Sequence, residues 1–309
     1  MIENDKTPWD INCRCVSKRY GSVQALSSVS FSVRKGELFG LIGPDGAGKT
    51  TLFRILSTLM LADEGSAEVN GLHVVKDYVE IRKRIGYMPG RFSLYQDLSV
   101  EENLNFFAAL FATTVEENYD LIRDIYVQIE PFRKRRAGKL SGGMKQKLAL
   151  CCALIHRPVV LLLDEPTTGV DVVSRREFWD MLKRLKEQNI SILVSTPYMD
   201  EARLCDRIAL MQSGRILSVE TPQHIIEKYS DKLYALRTAD MARLICDVQQ
   251  MDCVESCFAF GEYLHLTFSD DDQAACLVLL DYLKKKGHQD VVCHPIVPSI
   301  EDCFIKLMR

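Results

Sequence analysis

The sequence predicts an α/β fold with a parallel sheet at its centre, joined to a smaller α+β domain. Three observations carry this reading. Two continuous apolar runs, "ELFGLIG" (37–43) and "PVVLLLD" (158–164), have the length and composition of buried strands. The first leads through a glycine-rich turn into "TLFRILSTLM" (51–60), a helical pattern, so strand, helix and strand follow in the spacing of a parallel sheet. After about residue 230 the texture changes to short strand candidates and helices, and residues 231–309 read as a separate small α+β domain.

The remaining elements follow in chain order. "SSVSFSV" (27–33) alternates polar and apolar residues, as a half-buried strand does. "ENLNFFAALF" (102–111) suits a helix, and Ser99 with Glu102 has the S-x-x-E spacing of a capping box, which sets its start near 100. Ile192 to Ser195 form a short apolar run that reads as a buried strand, with Pro197 where the chain leaves it. "CVESCFAF" and "EYLHLTF" meet across Gly261-Glu262 as a hairpin. A helix over 272–287 and a strand over 290–294 complete the second domain.

Bulk properties narrow the function classes. The chain has 309 residues, 47% of them hydrophobic, and a net charge of −3, which gives no electrostatic case for a nucleic-acid partner. The basic run "RKRRAGK" (133–139) reads as a solvated turn, with a membrane-surface or phosphate role as the alternative. Eleven cysteines lie singly or as Cys151-Cys152. Cys13 and Cys15 are too close for zinc-ligand spacing, so the thiols read as reduced and cytosolic. The start, "MIENDKTPWD", is polar and acid-containing, unlike a secretory signal. No apolar run approaches the ~20 residues that span a bilayer. A membrane role would therefore run through a partner.

Chemistry concentrates in two places. "GPDGAGKT" (43–50) fits G-x-x-x-x-G-K-[ST] at every fixed position, between a strand and a helix. Gly43, Gly46 and Gly48 let backbone N–H groups turn toward phosphate oxygens, and the helix that follows adds the positive end of its dipole. Lys49 supplies a point charge to the β and γ phosphates, and Thr50 offers a hydroxyl to Mg²⁺. Asp45 and Thr51 complete the candidate nucleotide-binding set here. The plain alternative is a glycine-rich turn. Asp164 ends the second buried strand, where an α/β sheet presents its ligands, and is the second Mg²⁺ candidate. Glu165 is the candidate general base on an attacking water. A buried ion pair is the alternative for this doublet.

At "LSGGMKQKLAL" (140–150) the pattern becomes specific. With the cradle upstream and "LLLDEPTTGVD" (161–171) downstream, residues 10–225 resemble the nucleotide-binding subunits of ABC transporters. The resemblance implies a P-loop NTPase cassette over residues 1–230, a RecA-like core with a helical subdomain at about 90–157 that docks on a membrane subunit. It implies ATP and Mg²⁺ as ligands. It assigns adenine stacking to Tyr20, the signature to Ser141, Gly142 and Gly143, and a place at the dimer seam to Asp171. In the family the signature reaches the γ-phosphate of ATP held by the opposite subunit. The tail "PSIEDCFIKLM" (298–308) is similar to exporters of the daunorubicin-resistance type. That likeness implies an ABC-2-type membrane subunit and a cytoplasmic, peripheral location through it. An amphipathic terminal helix packing on its own domain is the alternative for the tail.

Two positions depart from the family pattern. Pro197, in "STPYMDEARLCD", stands where members carry a histidine that bonds the γ-phosphate, and proline has neither a side-chain donor nor a backbone N–H. Gly90, after "YMP", stands where members carry a glutamine; Gln96 lies nearby in sequence. The expectation is a chain that binds ATP, hydrolyses it weakly at its own cradle, and completes the site of a second ATPase subunit with its signature. A heterodimer is favoured and a homodimer remains open. The alternatives are a regulatory subunit that binds ATP without cleaving it and a soluble ABC protein acting on ribosomes or DNA. The transported substance is not written in this chain.

Overall fold

A computed structural model describes residues 9–91, 93–269 and 272–308. The reading of the extreme start, residues 1–8, lies outside them. The chain divides into a unit that runs through Gln223 and a second unit, His224–Lys306.

In the first unit two long strands, β1 (Trp9–Tyr20) and β2 (Val23–Arg34), form a hairpin. β3 (Leu38–Ile42) then leads through the glycine-rich turn to α1 (Lys49–Leu56). β4 (Glu64–Val69), β5 (Leu72–His73), α2 (Tyr78–Arg84) and β6 (Ile85–Met88) follow. The helical stretch holds α3 (Val100–Leu110), α4 (Tyr119–Tyr126) and α5 (Gly142–Leu154). The chain returns to the sheet as β7 (Val160–Asp164), α6 (Val172–Glu187) and β8 (Ser191–Thr196), then β9 (Arg207–Gln212) and β10 (Arg215–Glu220).

Two sheets result. One is antiparallel, in the order β2-β1-β4-β5; the other runs β10-β9-β3-β8-β7-β6 and is parallel except at its β10 edge. Leu52, Phe53, Ile55 and Leu56 of α1 share one core with Ile11, Val29 and Val33 of the antiparallel sheet and with Phe39, Leu41, Leu162 and Leu193 of the parallel sheet. The alternate residues Leu38, Ile42, Leu161, Leu163, Ile192 and Val194 are buried too. Burial on both faces explains the unbroken apolar runs of β3 and β7. Ser99 caps α3 as the spacing implies: its hydroxyl accepts from the Glu102 N–H at 3.2 Å, and the Glu102 carboxylate accepts from the Ser99 N–H at 2.7 Å.

α7 (Pro222–Glu227) spans the division. The second unit holds β11 (Leu233–Arg237), α8 (Met241–Val248), β12 (Val254–Phe260), β13 (Tyr263–Phe268), α9 (Asp272–Lys285), β14 (Val292–Ile296) and α10 (Ile300–Leu307). Its antiparallel sheet has the order β12-β13-β11-β14. Leu236, Leu244, Leu264, Leu266, Leu279 and Leu283 fill its core. Among the described residues no helix is long and apolar enough to cross a membrane.

All eleven cysteines are free thiols. Burial pushes Cys13, Cys151, Cys152 and Cys205 well up from the ordinary thiol range. Cys15 is exposed, and its thiol is lowered by hydrogen bonds from Ser28 and Ser30. Thiolate fraction and access together set alkylation rate. Brief iodoacetamide treatment of the folded chain at neutral pH should therefore modify Cys15 before any of those four, as read by peptide mass spectrometry.

Candidate nucleotide site

The cradle forms where β3 hands the chain to α1. Gly48 closes the turn at φ 103°, and a Cβ there would lie 2.4 Å from the Ala25 carbonyl oxygen of β2. A Cβ on Gly43 would lie 2.2 Å from the Met211 carbonyl oxygen of β9. Neither position admits a side chain. A Cβ built on Gly46 meets nothing within 4 Å, so the rim of the turn is open. Asp45 and Gly46 are exposed; Thr50 and Thr51 are half-buried in the first turn of α1.

Lys49 is buried, with its ammonium on three acceptors: the Gly43 carbonyl at 2.8 Å, the Pro44 carbonyl at 2.9 Å and Glu165 Oε1 at 3.0 Å. These match its three N–H donors. The lysine thus spans the cradle and the carboxylate at the end of β7, and phosphate oxygens entering the cradle would compete with Glu165 for it.

The carboxylates are held from β8. Asp164 pairs in register with Ser195, whose hydroxyl donates to Asp164 Oδ1 at 2.7 Å. The same hydroxyl accepts from the Glu165 N–H at 2.9 Å. Glu165 has φ +50°, an unusual value for a residue with a side chain and one found at functional sites. Burial and the nearby Asp164 charge push the Tyr87 phenol up to about 12. One carboxylate, one threonine hydroxyl and an open rim fit a Mg²⁺ ion that takes its other ligands from water and phosphate.

The two departures lie against different parts of the site, Gly90 by Asp164 and Pro197 by the cradle. A Cβ on Gly90 would lie 3.1 Å from the Asp164 carbonyl oxygen and 3.7 Å from Asp164 Oδ2, so any side chain at this position would start beside the acid. Gln96 is exposed, and its carbonyl accepts from the Gly138 N–H at 2.9 Å. Pro197 follows Thr196 directly, and the Thr196 carbonyl accepts from the Gly43 N–H at 3.3 Å.

The other sequence candidates stand elsewhere. Tyr20 ends β1 with its ring exposed and its hydroxyl on Met60 Sδ at 2.9 Å. Ser141 caps α5, accepting from the Met144 N–H at 3.3 Å. Gly142 and Gly143 lean on the start of α6: a Cβ on Gly142 would lie 3.3 Å from the Gly169 carbonyl, and one on Gly143 2.6 Å from Ser174 Oγ. Asp171 caps α6, accepting from the Ser174 N–H at 2.9 Å, which holds its carboxyl below the usual range.

Sequence reading missed the residues that fasten these parts. Ser195 looks like one more strand residue. Glu201 looks like a surface acid, yet it is buried and accepts from Thr196 Oγ1 at 2.5 Å, Thr167 Oγ1 at 3.1 Å and Arg175 Nε at 3.0 Å. Beside Pro89 lies a groove of about 730 Å³ walled by Leu59, Val79, Met88, Leu110, Phe111 and His156. The His156 ring stacks on Phe111 with centroids 3.7 Å apart.

The family profile described as ABC transporter matches residues 26–168. The Nod factor export ATP-binding protein I of Rhizobium sp. (strain N33) is 33% identical over 299 residues, 94% of each chain. This chain belongs to the ABC transporter ATP-binding family. The probable multidrug ABC transporter ATP-binding protein YbhF of Escherichia coli (strain K12) is 36% identical over 288 residues, 92% of this chain; the chain spans about half (49%) of that relative's length. Among solved structures, the dimeric bacterial ABC transporter cassette MJ0796 superposes with a TM-score of 0.62 at 26% identity, over 68% of this chain and 98% of that one. The cbiO1 protein of Clostridium perfringens, at 23% identity and a TM-score of 0.64 over 72% of this chain and 92% of its own, shares the fold. The cassette fold expected from the sequence is thus the observed one.

The packing of this ABC cassette yields a local test. Ser174 Cβ stands 2.8 Å from a Cβ on Gly143, so rotating the serine does not make room. Gly143→Ala should destabilise the chain by about 1–3 kcal/mol, with Ser174→Gly restoring most of it, measured by urea unfolding.

Proposed function

We propose that this chain is the ATP-binding subunit of an ABC-2-type exporter. It binds ATP with Mg²⁺ at its own cradle, cleaves it slowly, and lends Ser141–Gly143 to the site of a second ATPase subunit. The observation that carries the slow chemistry is the position of Gly90 and Pro197. Gly90 borders Asp164, Pro197 follows the residue whose carbonyl bonds the cradle's Gly43, and neither has a side chain that can hold a phosphate or a water. The exporter reading draws support from the names of its relatives: probable multidrug transport for one and Nod factor export for the other.

Each remaining group has a task in this reading. Backbone N–H groups of the cradle and Lys49 hold the phosphates, and Thr50 and Asp164 would hold Mg²⁺, which shields phosphate charge when bound. Glu165, paired with Lys49 until phosphate takes the lysine, accepts a proton from the attacking water. Tyr20 offers an exposed ring to adenine. Without a side chain at 90 or an imidazole at 197, water and γ-phosphate lose two positioning contacts. Losing one such donor costs on the order of 10²–10³ in rate, and two need not add. The membrane subunit docks in the groove beside Pro89, and the complex lies on the cytoplasmic face of the membrane. A signature kept intact beside a weakened cradle favours a heterodimer over a homodimer.

The deciding experiment titrates the purified chain with a fluorescent ATP analogue and follows phosphate release from Mg–ATP. Micromolar-range binding with negligible turnover is expected, and Gly90→Gln with Pro197→His should raise turnover by about 10²-fold. Robust turnover by the unaltered chain, abolished by Glu165→Gln, would make it an ordinary motor subunit. Turnover still absent in the double variant would favour a purely regulatory subunit. For the groove, Leu110→Glu should abolish co-purification with the membrane subunit and leave analogue binding unchanged.

A further inference from the structure

Glu201 is a buried acid in the part of the chain that leaves β8, and no step above uses it. Its three donors come from three segments. Thr167 lies two residues past Glu165, Thr196 directly precedes Pro197, and Arg175 sits in the first turn of α6. Arg175 also lays its guanidinium over the Tyr198 ring, 4.1 Å from the centroid, and reaches Asp200 at 3.4 Å. A buried ion pair is a poor source of net stability, because desolvation offsets the attraction. Its effect is geometric: it joins α6 to the loop that carries Pro197.

α6 touches the signature helix from the same turns. Ser174 packs on Gly143, and Glu177 pairs with Lys147 of α5 at 2.7 Å. The contacts are therefore continuous. The Gly43 N–H of the cradle bonds the Thr196 carbonyl, Thr196 bonds Glu201, Glu201 bonds Arg175, and the neighbours of Arg175 on α6 hold the start of α5. The Thr196 bond is buried at 2.5 Å and the Arg175 bond part-buried at 3.0 Å, so the cradle loop and α6 are joined by an unbroken run of contacts.

We propose that Glu201 and Arg175 are positioning residues that tie the placement of the signature, which serves a partner subunit, to nucleotide in this chain's own cradle. The inference rests on the reading that the cradle binds ATP. It gives a slow cradle a use: a nucleotide held there sets the signature for the other site.

The test is hydrogen–deuterium exchange of the full chain with and without Mg²⁺ and the non-hydrolysable analogue AMP-PNP. On binding, amides of residues 141–150 in the unaltered chain should slow by about fivefold, the low end of usual coupling. Glu201→Gln and Arg175→Ala should each lose this response while analogue affinity stays within about twofold. The double variant should be no worse than either single one, and Arg175→Lys should keep part of the response. Thermal melts come first; if Glu201→Gln does not fold, Arg175→Ala and Arg175→Lys decide. A response that persists in variants with intact binding overturns the inference. So does a chain that binds the analogue with no change at 141–150, which leaves ATP binding standing. An unaltered chain that does not bind removes the nucleotide reading itself.

Discussion

Three strands that end level hold this cassette's chemistry together. The parallel register sets Asp164 of β7 opposite Ser195 of β8 and Ile42 of β3 opposite Thr196 of β8. With that alignment the cradle, both carboxylates and the Pro197 turn emerge at one edge, the carboxyl ends of the strands, where open α/β sheets bind ligands. Ser195 then locks two of the parts with one hydroxyl, donating to Asp164 and accepting from the Glu165 N–H. Thr196 locks the others through its carbonyl and its side chain. A one-residue slip of β8 would send both side chains to the opposite faces and undo every one of these bonds.

Charge in the site is balanced locally. Lys49 and Glu165 face each other, and Glu201 faces Arg175, so two buried or half-buried acids each have a cation at 3.0 Å. The pairs differ in consequence. The first joins a buried lysine to a half-buried acid, and in the proposed function that lysine turns to phosphate. The second is closed in by two threonines and a tyrosine ring. Stripping one partner from such an enclosed pair costs about 3–5 kcal/mol, because the other charge stays buried alone. In the proposed function one pair serves the ligand, and the other serves the frame.

What the sequence disclosed follows from how far apart the interacting residues lie. The cradle, the capping box at Ser99 and the hairpin at Gly261 are built from neighbours, so their spacing alone reveals them; Gly261 takes φ +56° at the turn. The helix expected over 272–287 stops at Lys285, and Gly287 at φ +80° turns the chain away. The strand expected over 290–294 begins only at Val292, since Asp290 at φ +53° is still in the turn. β2 starts at Val23, before the alternation becomes visible, because its first residues lie exposed beyond the core. The fasteners were silent. Ser195 and Asp164 are 31 residues apart, and Thr167 and Glu201 are 34 apart, so nothing local marks them as partners.

The cradle glycines answer to two masters. Gly43 and Gly48 are pressed against the backbones of β9 and β2, so a side chain at either would disturb the sheets whether or not a phosphate ever arrives. Gly46, by contrast, looks onto open space. A lineage that abandoned hydrolysis would therefore still have to keep most of the glycine pattern to keep its fold. In such a chain the pattern testifies to architecture, and the record of altered chemistry is written outside the cradle, at residues 90 and 197.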